Sequence, residues 1–314
     1  MDQSETDPTL AAVVVSYNVA PLLARCLDSL RRAGEELLAQ GHSLRVVVVD
    51  NASTDGSVAL VRERFPEVVL IESQDNLGFG AGCNLGAGAA PGSPFVLLLN
   101  PDAEVTPGAV PLLLERLRRT PAAALAGPRL LSPDGDPQEA RRLFPTLGAL
   151  VLESTPLEWR HPGWGALRRY RFEGQAEVAG PVDWLSGACL LLRRASFDEV
   201  GGFDPRFFMY FEEVDLARRL AGRGWETWYE PGAVVLHHHS RSADQDLGAK
   251  DRHYYGSKYR YAGRYWGKTV ARAMRLSGGA LFGAEWAIQT ARRDPALARR
   301  YGALARWHFQ GSKR

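Results

Sequence analysis

The sequence contains few cysteines, and they lie far apart. Its three cysteines, Cys26, Cys83 and Cys189, form no CxxC pair. Disulfide frameworks and structural zinc sites need more cysteines or a closer spacing, so neither is expected. This usage fits a reducing compartment, and we expect to find the protein in the cytoplasm.

Long apolar runs are missing as well. No stretch approaches the roughly eighteen consecutive apolar residues of a membrane helix, so we predict no membrane span. The N-terminal residues MDQSETDPTL are acidic and polar. They lack the basic region and the following apolar stretch of a signal peptide.

Two common nucleotide-binding fingerprints are absent. In NLGFGAGCNLG (76–86) the glycines Gly78, Gly80 and Gly82 alternate, which does not match GxGxxG. GRYWGKT (263–269) has too few residues between its glycines for a P-loop. These absences weaken the NAD-dependent and ATPase classes, although the alternating glycines still permit a ligand to approach the backbone closely.

Continuously apolar runs alternate with helical patterns in residues 10–130. The runs VVVS, VVVV, VVLI and VLLL predict strands that are buried on both faces. Their alternation with helices predicts an α/β fold with a mostly parallel sheet covered by helices. Ligands of such sheets bind beyond the C-terminal strand ends. At those ends this chain has Ser16, Tyr17, Asn18, Asp50, Asn51, Asn76, Asn100, Pro101 and Asp102.

The later part of the chain changes character. Residues 132–180 are rich in Pro, Arg and Trp and predict a long functional excursion. Residues 182–204 predict a strand and a short helix, and 224–242 predict a strand that ends in three histidines. The remainder is helical and basic, with 16 Lys or Arg against 5 Asp or Glu from Arg241 to Arg314. This excess predicts an anionic partner, such as a lipid surface, a pyrophosphate or nucleic acid.

These patterns predict a division of the chain into domains. A main domain covers 1–245, with a nucleotide-binding half (10–130) and an acceptor and catalytic half (131–245). A helical basic C-terminal extension covers 246–314.

Several polar residues at strand ends have both a structural and a functional interpretation. Asp50 either caps the next turn or accepts a hydrogen bond from a pyrimidine ring N–H. Asn100 and Asp102, in LLLNPDAE (97–104), either form a turn or hold a hard cation that holds a diphosphate in turn. The histidines 237–239 are either a polar strand end or contain a metal ligand.

The stretch FFMYFEEVDLARRL (207–220) places three acids directly after a wall of aromatic and apolar residues. Glu212, Glu213 and Asp215 are compatible with a helix N-terminus, where negative charge is stabilised. An aromatic wall also desolvates a carboxylate and raises its pKa, which suits a general base.

The last predicted helix, DPALARRYGALARWHF (294–309), has an apolar face. Leu297, Tyr301, Leu304 and Trp307 lie on that face. It either packs on its own domain or a dimer mate, or lies on the inner leaflet of the membrane near a lipid-linked acceptor.

Taken in order, these motifs resemble a known family. VSYN, VVDNASTDGS, NLGFGAGCN, LLLNPDAEV, WLSGACLLLRR, FDEVGGFDPRFFMYFEEVDLARRL and PGAVVLHHHSRS are similar to the motifs of family 2 inverting glycosyltransferases with the GT-A fold. The rhamnosyltransferase-like enzymes of bacterial surface polysaccharides are the nearest subgroup. The resemblance covers about residues 10 to 245. Each motif is weak, but the ordered series is specific.

The resemblance implies a Rossmann-like sheet and a metal-dependent glycosyltransferase of the hexosyl type. The enzyme would move a sugar from a UDP- or dTDP-sugar, with dTDP-rhamnose a candidate, to a hydroxyl of a glycan or lipid-linked acceptor in cell-surface polysaccharide synthesis. The cofactor would be a divalent metal, Mg²⁺ or Mn²⁺. A peripheral position on the inner face of the cell membrane and a homodimer stay open, and no nucleic-acid partner is expected.

The resemblance also implies roles for individual residues. Glu213 would be the catalytic base, with Glu212 the runner-up and Asp215 in support. Asp102 and His237 would bind the metal, with Asn100 in place of the first acid of the family's DxD motif. The donor would be bound by Ser16, Tyr17, Asn18, Asp50, Asn76, Gly78, Asn100 and Asp102. The sugar and acceptor subsite would be shaped by Trp184, Ser186 and Gly187.

Two other functional classes remain as alternatives. A nucleotidyltransferase or other nucleotide-sugar enzyme could use the same half-fold, but it would need a basic Gly-rich N-terminal signature that the sequence lacks. A non-catalytic glycan- or polyanion-binding protein could use the basic tail, but the series of acids at strand ends argues against it.

Overall fold

The computed structural model describes residues 9–161, 163–173, 175–238 and 247–310. These residues form two compact units. The sheet unit comprises 9–142, 175–208 and 212–238, and the helical unit comprises 143–161, 163–173, 209–211 and 247–310. Residues 143–161 thus cluster with the C-terminal helices, and the predicted domain boundaries stay a prediction.

All strands of the described ranges belong to the sheet unit. They are β1 (Leu10–Ser16), β2 (Leu44–Asp50), β3 (Val69–Glu72), β4 (Phe95–Leu99), β5 (Ala103–Val105), β6 (Ala123–Leu131), β7 (Pro137–Gln138), β8 (Arg141–Arg142), β9 (Gly180–Val182), β10 (Trp184–Leu185), β11 (Cys189–Arg193) and β12 (Glu226–His237).

The helices are divided between the two units. They are α1 (Ala20–Ala39), α2 (Ser57–Arg64), α3 (Phe79–Gly88), α4 (Ala109–Arg119), α5 (Leu147–Leu152), α6 (Pro156–Arg160), α7 (Gly165–Tyr170), α8 (Arg194–Glu199), α9 (Glu212–Ala221), α10 (Leu247–Tyr265), α11 (Lys268–Ala291) and α12 (Pro295–Gln310). Helices α5 to α7 and α10 to α12 belong to the helical unit.

The main sheet has the strand order β3-β2-β1-β4-β11-β6-β12-β5. Strands β1 to β4, β6 and β12 run parallel to one another, whereas β11 pairs antiparallel with both β4 and β6. Strand β5 closes the edge antiparallel to β12. The predicted α/β fold with a mostly parallel sheet is therefore confirmed.

The core of the sheet unit follows from the apolar runs. Every residue of β1 and β4 is buried, and helices α1, α3 and α4 pack against the sheet. Helix α3 can lie very close to β1 because Gly86 has no side chain: a Cβ there would come within 2.3 Å of Val13 Cγ1. This close approach sets the position of the α3 N-terminus at the edge where the polar residues gather.

The helical unit has a small aromatic core of its own. Tyr255, Phe282, Leu304 and Ala305 are buried, and Tyr254, Tyr259, Tyr301 and Trp307 pack against them. The apolar face predicted for the last helix therefore packs inside this unit, as the first of its two interpretations expected. Among the helices of the described ranges, none combines the length and apolar character needed to cross a bilayer.

Candidate functional site

Two parallel strands end side by side at the predicted donor edge. Ser16 of β1 is the register partner of Asp50 of β2, and both are buried. Asp50 Oδ2 accepts a hydrogen bond from Ser53 N at 2.8 Å. Asp50 Oδ1 and Ser16 Oγ are buried with no hydrogen-bond partner among the described residues. Because burying an unpaired polar atom is costly, these atoms are suited to hydrogen-bond a polar ligand at this edge.

Asn18 organises the loop beside this edge. Its Oδ1 accepts a hydrogen bond from Thr54 N at 2.7 Å, and its N donates to Ser53 Oγ at 3.0 Å. The residue itself has a left-handed φ of 52°, a conformation that Asn tolerates better than most residues. Tyr17 lies next to it and is half-buried. The structure thus shows Asn18 holding the loop that carries Ser53.

A second wall of the edge is the turn before α3. Asn76 Oδ1 accepts a hydrogen bond from Gly78 N at 3.0 Å, and Asn51 Nδ2 donates to Gly78 O at 3.2 Å. Gly78 has a φ of 82°, and a Cβ there would lie 2.2 Å from the backbone oxygen of Phe208. Only glycine fits this position.

Asn51 was named among the polar strand-end residues but was given no role in ligand binding. Its Oδ1 is buried and has no hydrogen-bond partner among the described residues, in the same way as Asp50 Oδ1. Its place directly after Asp50, at the end of a buried strand, was the available signal.

Asp102 and His237 meet through the pairing of β5 with β12. Ala103, which follows Asp102, is the register partner of His237. His237 Nε2 lies 3.4 Å from Asp102 Oδ1, and both side chains are largely buried. Asn100 lies nearby along the chain, and its N donates to Ala188 O at 2.9 Å.

Of the other two histidines, His238 is the one that lies within the described residues. His238 Nε2 lies 2.6 Å from Glu104 Oε1, which also pairs with Arg25. His239 lies outside the described residues.

The Asp102–His237 pair provides a limited set of metal ligands. No group of three or more His, Cys, Asp or Glu side chains able to hold an ion occurs in the described ranges. Cations that bind nucleotides are commonly held by one or two protein ligands, while phosphate oxygens and waters complete the coordination. One carboxylate and one imidazole therefore fit a divalent cation that is held mainly by its nucleotide.

The predicted catalytic acids begin α9. The chain enters this helix through Tyr210 and Phe211, whose φ values of 68° and 67° are rare for non-glycine residues and tend to cluster at functional sites. Glu213 Oε2 is buried without a hydrogen-bond partner among the described residues, although the residue as a whole is only half-buried. Burial raises the pKa of Glu213 to about 7, while the backbone N–H groups of Glu213 and Val214 and the charge of Arg142 lower it by less.

The neighbouring acids differ from Glu213. Glu212 is buried and faces α3, where its charge adds to the burial that raises the pKa of Cys83. Asp215 is fully buried and accepts a hydrogen bond from Arg219 Nε at 2.8 Å. Asp215 therefore has an ion-pair partner on its own helix, which suits the supporting role expected of it.

The predicted sugar and acceptor residues lie on β10 and the turn after it. Trp184 is the register partner of Arg142 of β8, whose guanidinium carbon lies 5.5 Å from the centre of the Trp184 ring. Helix α9 packs against β10, which brings Trp184 and Glu213 to a common neighbour, Arg142.

The two residues after β10, Ser186 and Gly187, contact neighbouring segments of the sheet unit. Ser186 N donates to Ala140 O at 2.9 Å. A Cβ on Gly187 would lie 3.6 Å from the ring of Phe79, which follows Gly78. Gly187 is thus close to the turn before α3.

Comparisons with known proteins agree with this arrangement. The family model described as glycosyl transferase family 2 matches residues 11–201. An N-acetylglucosaminyl-diphospho-decaprenol L-rhamnosyltransferase of Mycobacterium tuberculosis is 40% identical over 250 residues, which cover 76% of this chain and 78% of the relative. The predicted resemblance to the rhamnosyltransferase-like subgroup is confirmed.

Two solved structures share the fold. A mannosyltransferase from Pyrobaculum calidifontis, in complex with GDP-Man and Mn²⁺, has a TM-score of 0.54 and 17% identity over 98% of this chain and 88% of its own. GalNAc-T7 with UDP, GalNAc and Mn²⁺ has a TM-score of 0.55 and 18% identity over 74% of this chain and 44% of its own. At these identities the likeness concerns the fold, and it confirms the predicted GT-A class.

Proposed function

This chain belongs to glycosyl transferase family 2, and we propose that it transfers a sugar from a UDP- or dTDP-sugar to a hydroxyl of a lipid-linked or glycan acceptor. Family membership sets aside the nucleotidyltransferase and binding-protein alternatives. The name of the Mycobacterium tuberculosis relative supports an L-rhamnose donor and a sugar on a lipid diphosphate as the first acceptor to test, and dTDP-rhamnose is the first candidate donor of that sugar.

The buried edge at the ends of β1 and β2 supports donor binding. The Asp50 carboxylate and the Asn51 amide oxygen are both hydrogen-bond acceptors, so either fits the N–H group of a pyrimidine ring. Ser16 Oγ can donate or accept. These buried atoms without partners are the observation that carries the proposal.

Glu213 is the proposed base. Its Oε2 removes the proton from the acceptor hydroxyl, and that oxygen attacks the anomeric carbon from the face opposite the diphosphate. The new glycosidic C–O bond forms as the bond to the diphosphate breaks, so the configuration inverts and the nucleoside diphosphate leaves. One carboxylate suffices, whereas two-carboxylate hydrolases need a second acid across the bond. A pKa near 7 suits a base that works at neutral pH.

Asp102 and His237 are the proposed ligands of a divalent cation, with Asn100 beside them on the same turn. When bound, such a cation neutralises diphosphate charge and makes the nucleotide a better leaving group. The complexes of both structural neighbours with Mn²⁺ support a divalent metal here, with Mg²⁺ as the alternative.

The helical unit offers a surface for a peripheral membrane contact. One face of α11, which we call the α11 face, is exposed and carries no charged residue: Thr269, Ala273, Leu276, Ser277, Ala280, Ala284, Ala287, Ile288 and Ala291. A helix face in water is usually polar, so about six turns without charge are unusual.

Basic residues border the α11 face. Exposed arginines lie at both of its ends, at Arg272, Arg292 and Arg293. An apolar strip between arginines suits the interface of an anionic bilayer, where a lipid-linked acceptor would be presented. We therefore propose that the contact uses the α11 face, since the apolar side of α12 packs internally.

A thermal-shift experiment tests the donor proposal. The purified protein is heated with UDP, dTDP, GDP or ADP, each with and without Mn²⁺ or Mg²⁺. We expect UDP or dTDP to raise the Tm, and more so with metal, because a ligand of the native state stabilises it by mass action. Asp102→Asn should abolish the metal-dependent part, whereas Asp134→Asn, at an exposed position of the same unit, should not. The absence of a shift with all four nucleotides would contradict the proposal.

A further inference from the structure

Gln138 makes two hydrogen bonds to the proposed metal ligand His237. Gln138 lies on β7, which pairs antiparallel with β6, and β6 pairs with β12, which ends at His237. Gln138 Nε2 donates to the backbone oxygen of His237 at 2.7 Å. Gln138 Oε1 lies 2.9 Å from His237 Nδ1.

These two bonds determine which nitrogen of His237 carries a proton. A backbone carbonyl oxygen only accepts, so the group of Gln138 that faces it must be the amide NH₂. The amide oxygen must then face Nδ1, and because that oxygen also only accepts, Nδ1 must be the protonated nitrogen. In the neutral imidazole, Nε2 is left with its lone pair.

Nε2, which carries the lone pair, lies next to the carboxylate of Asp102. Nε2 is 3.4 Å from Asp102 Oδ1, too long for a good hydrogen bond. Both atoms are acceptors in this tautomer, so a cation bound between them would be attracted to both. Metal-binding histidines usually donate their other ring N–H to a neighbouring acceptor, which fixes the tautomer and the ring orientation.

We propose that Gln138 is a positioning residue that holds His237 in the tautomer and orientation able to bind a divalent cation together with Asp102. This inference rests on the cation site of the proposed function. Gln138 would touch neither the cation nor the nucleotide, and it would act entirely through His237.

The test measures Mn²⁺ affinity directly, by the loss of the free Mn²⁺ signal in electron paramagnetic resonance with dTDP or UDP present. We expect Gln138→Leu to weaken Mn²⁺ binding by about 10- to 100-fold, as is typical when such a partner is lost. Gln138→Glu keeps an acceptor for Nδ1–H but loses the donor to the His237 carbonyl oxygen, so it should weaken Mn²⁺ binding less than Gln138→Leu does. Gln40→Leu, at an exposed position after α1, is the matched control and should leave the affinity unchanged.

A second set of readouts separates positioning from general damage to the fold. Gln138→Leu should unfold cooperatively, with a Tm without metal that is lowered only by the loss of two hydrogen bonds, and its metal-free affinity for the nucleotide should equal that of the parent. The ¹⁵N shifts of His237, assigned with the His237→Ala protein, should show Nδ1 protonated and Nε2 unprotonated in the parent. A mixed or reversed tautomer in the parent would overturn the proposal.

The outcomes also distinguish this inference from the proposed function. If His237→Ala weakens Mn²⁺ binding but Gln138→Leu does not, the cation site holds and the positioning role of Gln138 is wrong. If neither variant changes the affinity, His237 is not a metal ligand, and both its proposed role and the positioning role of Gln138 are wrong. If the parent binds no nucleotide at all, the donor proposal itself fails.

Discussion

Replacing Glu213 with glutamine should change turnover and stability in opposite directions. Glutamine has nearly the same shape but cannot take a proton from the acceptor, so turnover should fall by about 10²- to 10⁴-fold, the usual contribution of a general base. The same change removes a carboxylate whose Oε2 is buried without a hydrogen-bond partner among the described residues. Stability should therefore rise wherever that carboxylate is ionised.

The size of the stability gain follows from the pKa of Glu213. Burial raises it from 4.5 to about 7. An unfolded chain loses this proton near pH 4.5 and the folded chain near pH 7, so the stability of the parent is highest below pH 4.5 and falls as the pH rises to about 7. At about 1.4 kcal/mol per pH unit the full penalty is about 3 kcal/mol, and partial exposure of the residue reduces it to about 1–3 kcal/mol.

Two assays check this prediction. Urea unfolding at pH 8 should show Glu213→Gln to be more stable than the parent, and the difference should vanish near pH 4.5. Initial rates of nucleotide release should fall in the parent about tenfold per pH unit below pH 7, because only the ionised base is active. Glu63→Gln, at an exposed position of α2, is the matched control for both assays.

Glu212→Gln separates the two candidate bases, since only one of them should control the pH profile. A Glu213→Gln protein with normal turnover would show that the base is elsewhere. A variant less stable than the parent at pH 8 would refute the reasoning about burial.

Two further predictions concern the turn before α3 and the α11 face. Gly78→Ala should lower the free energy of unfolding by more than about 2 kcal/mol and weaken nucleotide binding, because its Cβ would lie 2.2 Å from a backbone oxygen at a φ of 82°. Gly88→Ala is the control: a Cβ there meets nothing within 4 Å, so the free energy of unfolding should change by less than about 1 kcal/mol. The parent should co-sediment with anionic vesicles at low salt, and the double change Leu276→Glu and Ile288→Glu should abolish this binding. Leu38→Glu, at an exposed position of α1, is the control and should leave the binding unchanged. A parent that stays in the supernatant would contradict the membrane proposal.

Local patterns were enough to predict the parallel half of the sheet. Strands buried on both faces are continuously apolar, and the polar residues that end them, such as Ser16 and Asp50, meet because parallel strands end at the same edge. The periodicity of the last helix was also read correctly. It could not decide between packing and lipid contact, because an apolar face looks the same in both cases.

The meeting of Asp102 with His237 could not be derived from local patterns. It depends on β5, a strand of three residues that pairs with the end of a strand more than a hundred residues later in the chain. Spacing gives no signal for such a pairing, and His237 was chosen through the family resemblance. Gln138 and Arg142 were missed for a related reason, since both lie on strands of only two residues.

The antiparallel strand β11 has a consequence for how this enzyme could acquire new substrates. Its first residue, Cys189, pairs with Leu99 at the end of β4, and Asn100 N donates to Ala188 O at 2.9 Å. The ladder thus fixes the point at which the chain returns to the donor edge, whatever the length of the segment between Arg142 and Trp184. Recombination could lengthen or exchange that segment without changing the register of β11. If acceptor specificity lies in that segment, as the domain prediction expects, acceptor preference can diverge by replacing it while the predicted nucleotide-binding half is kept.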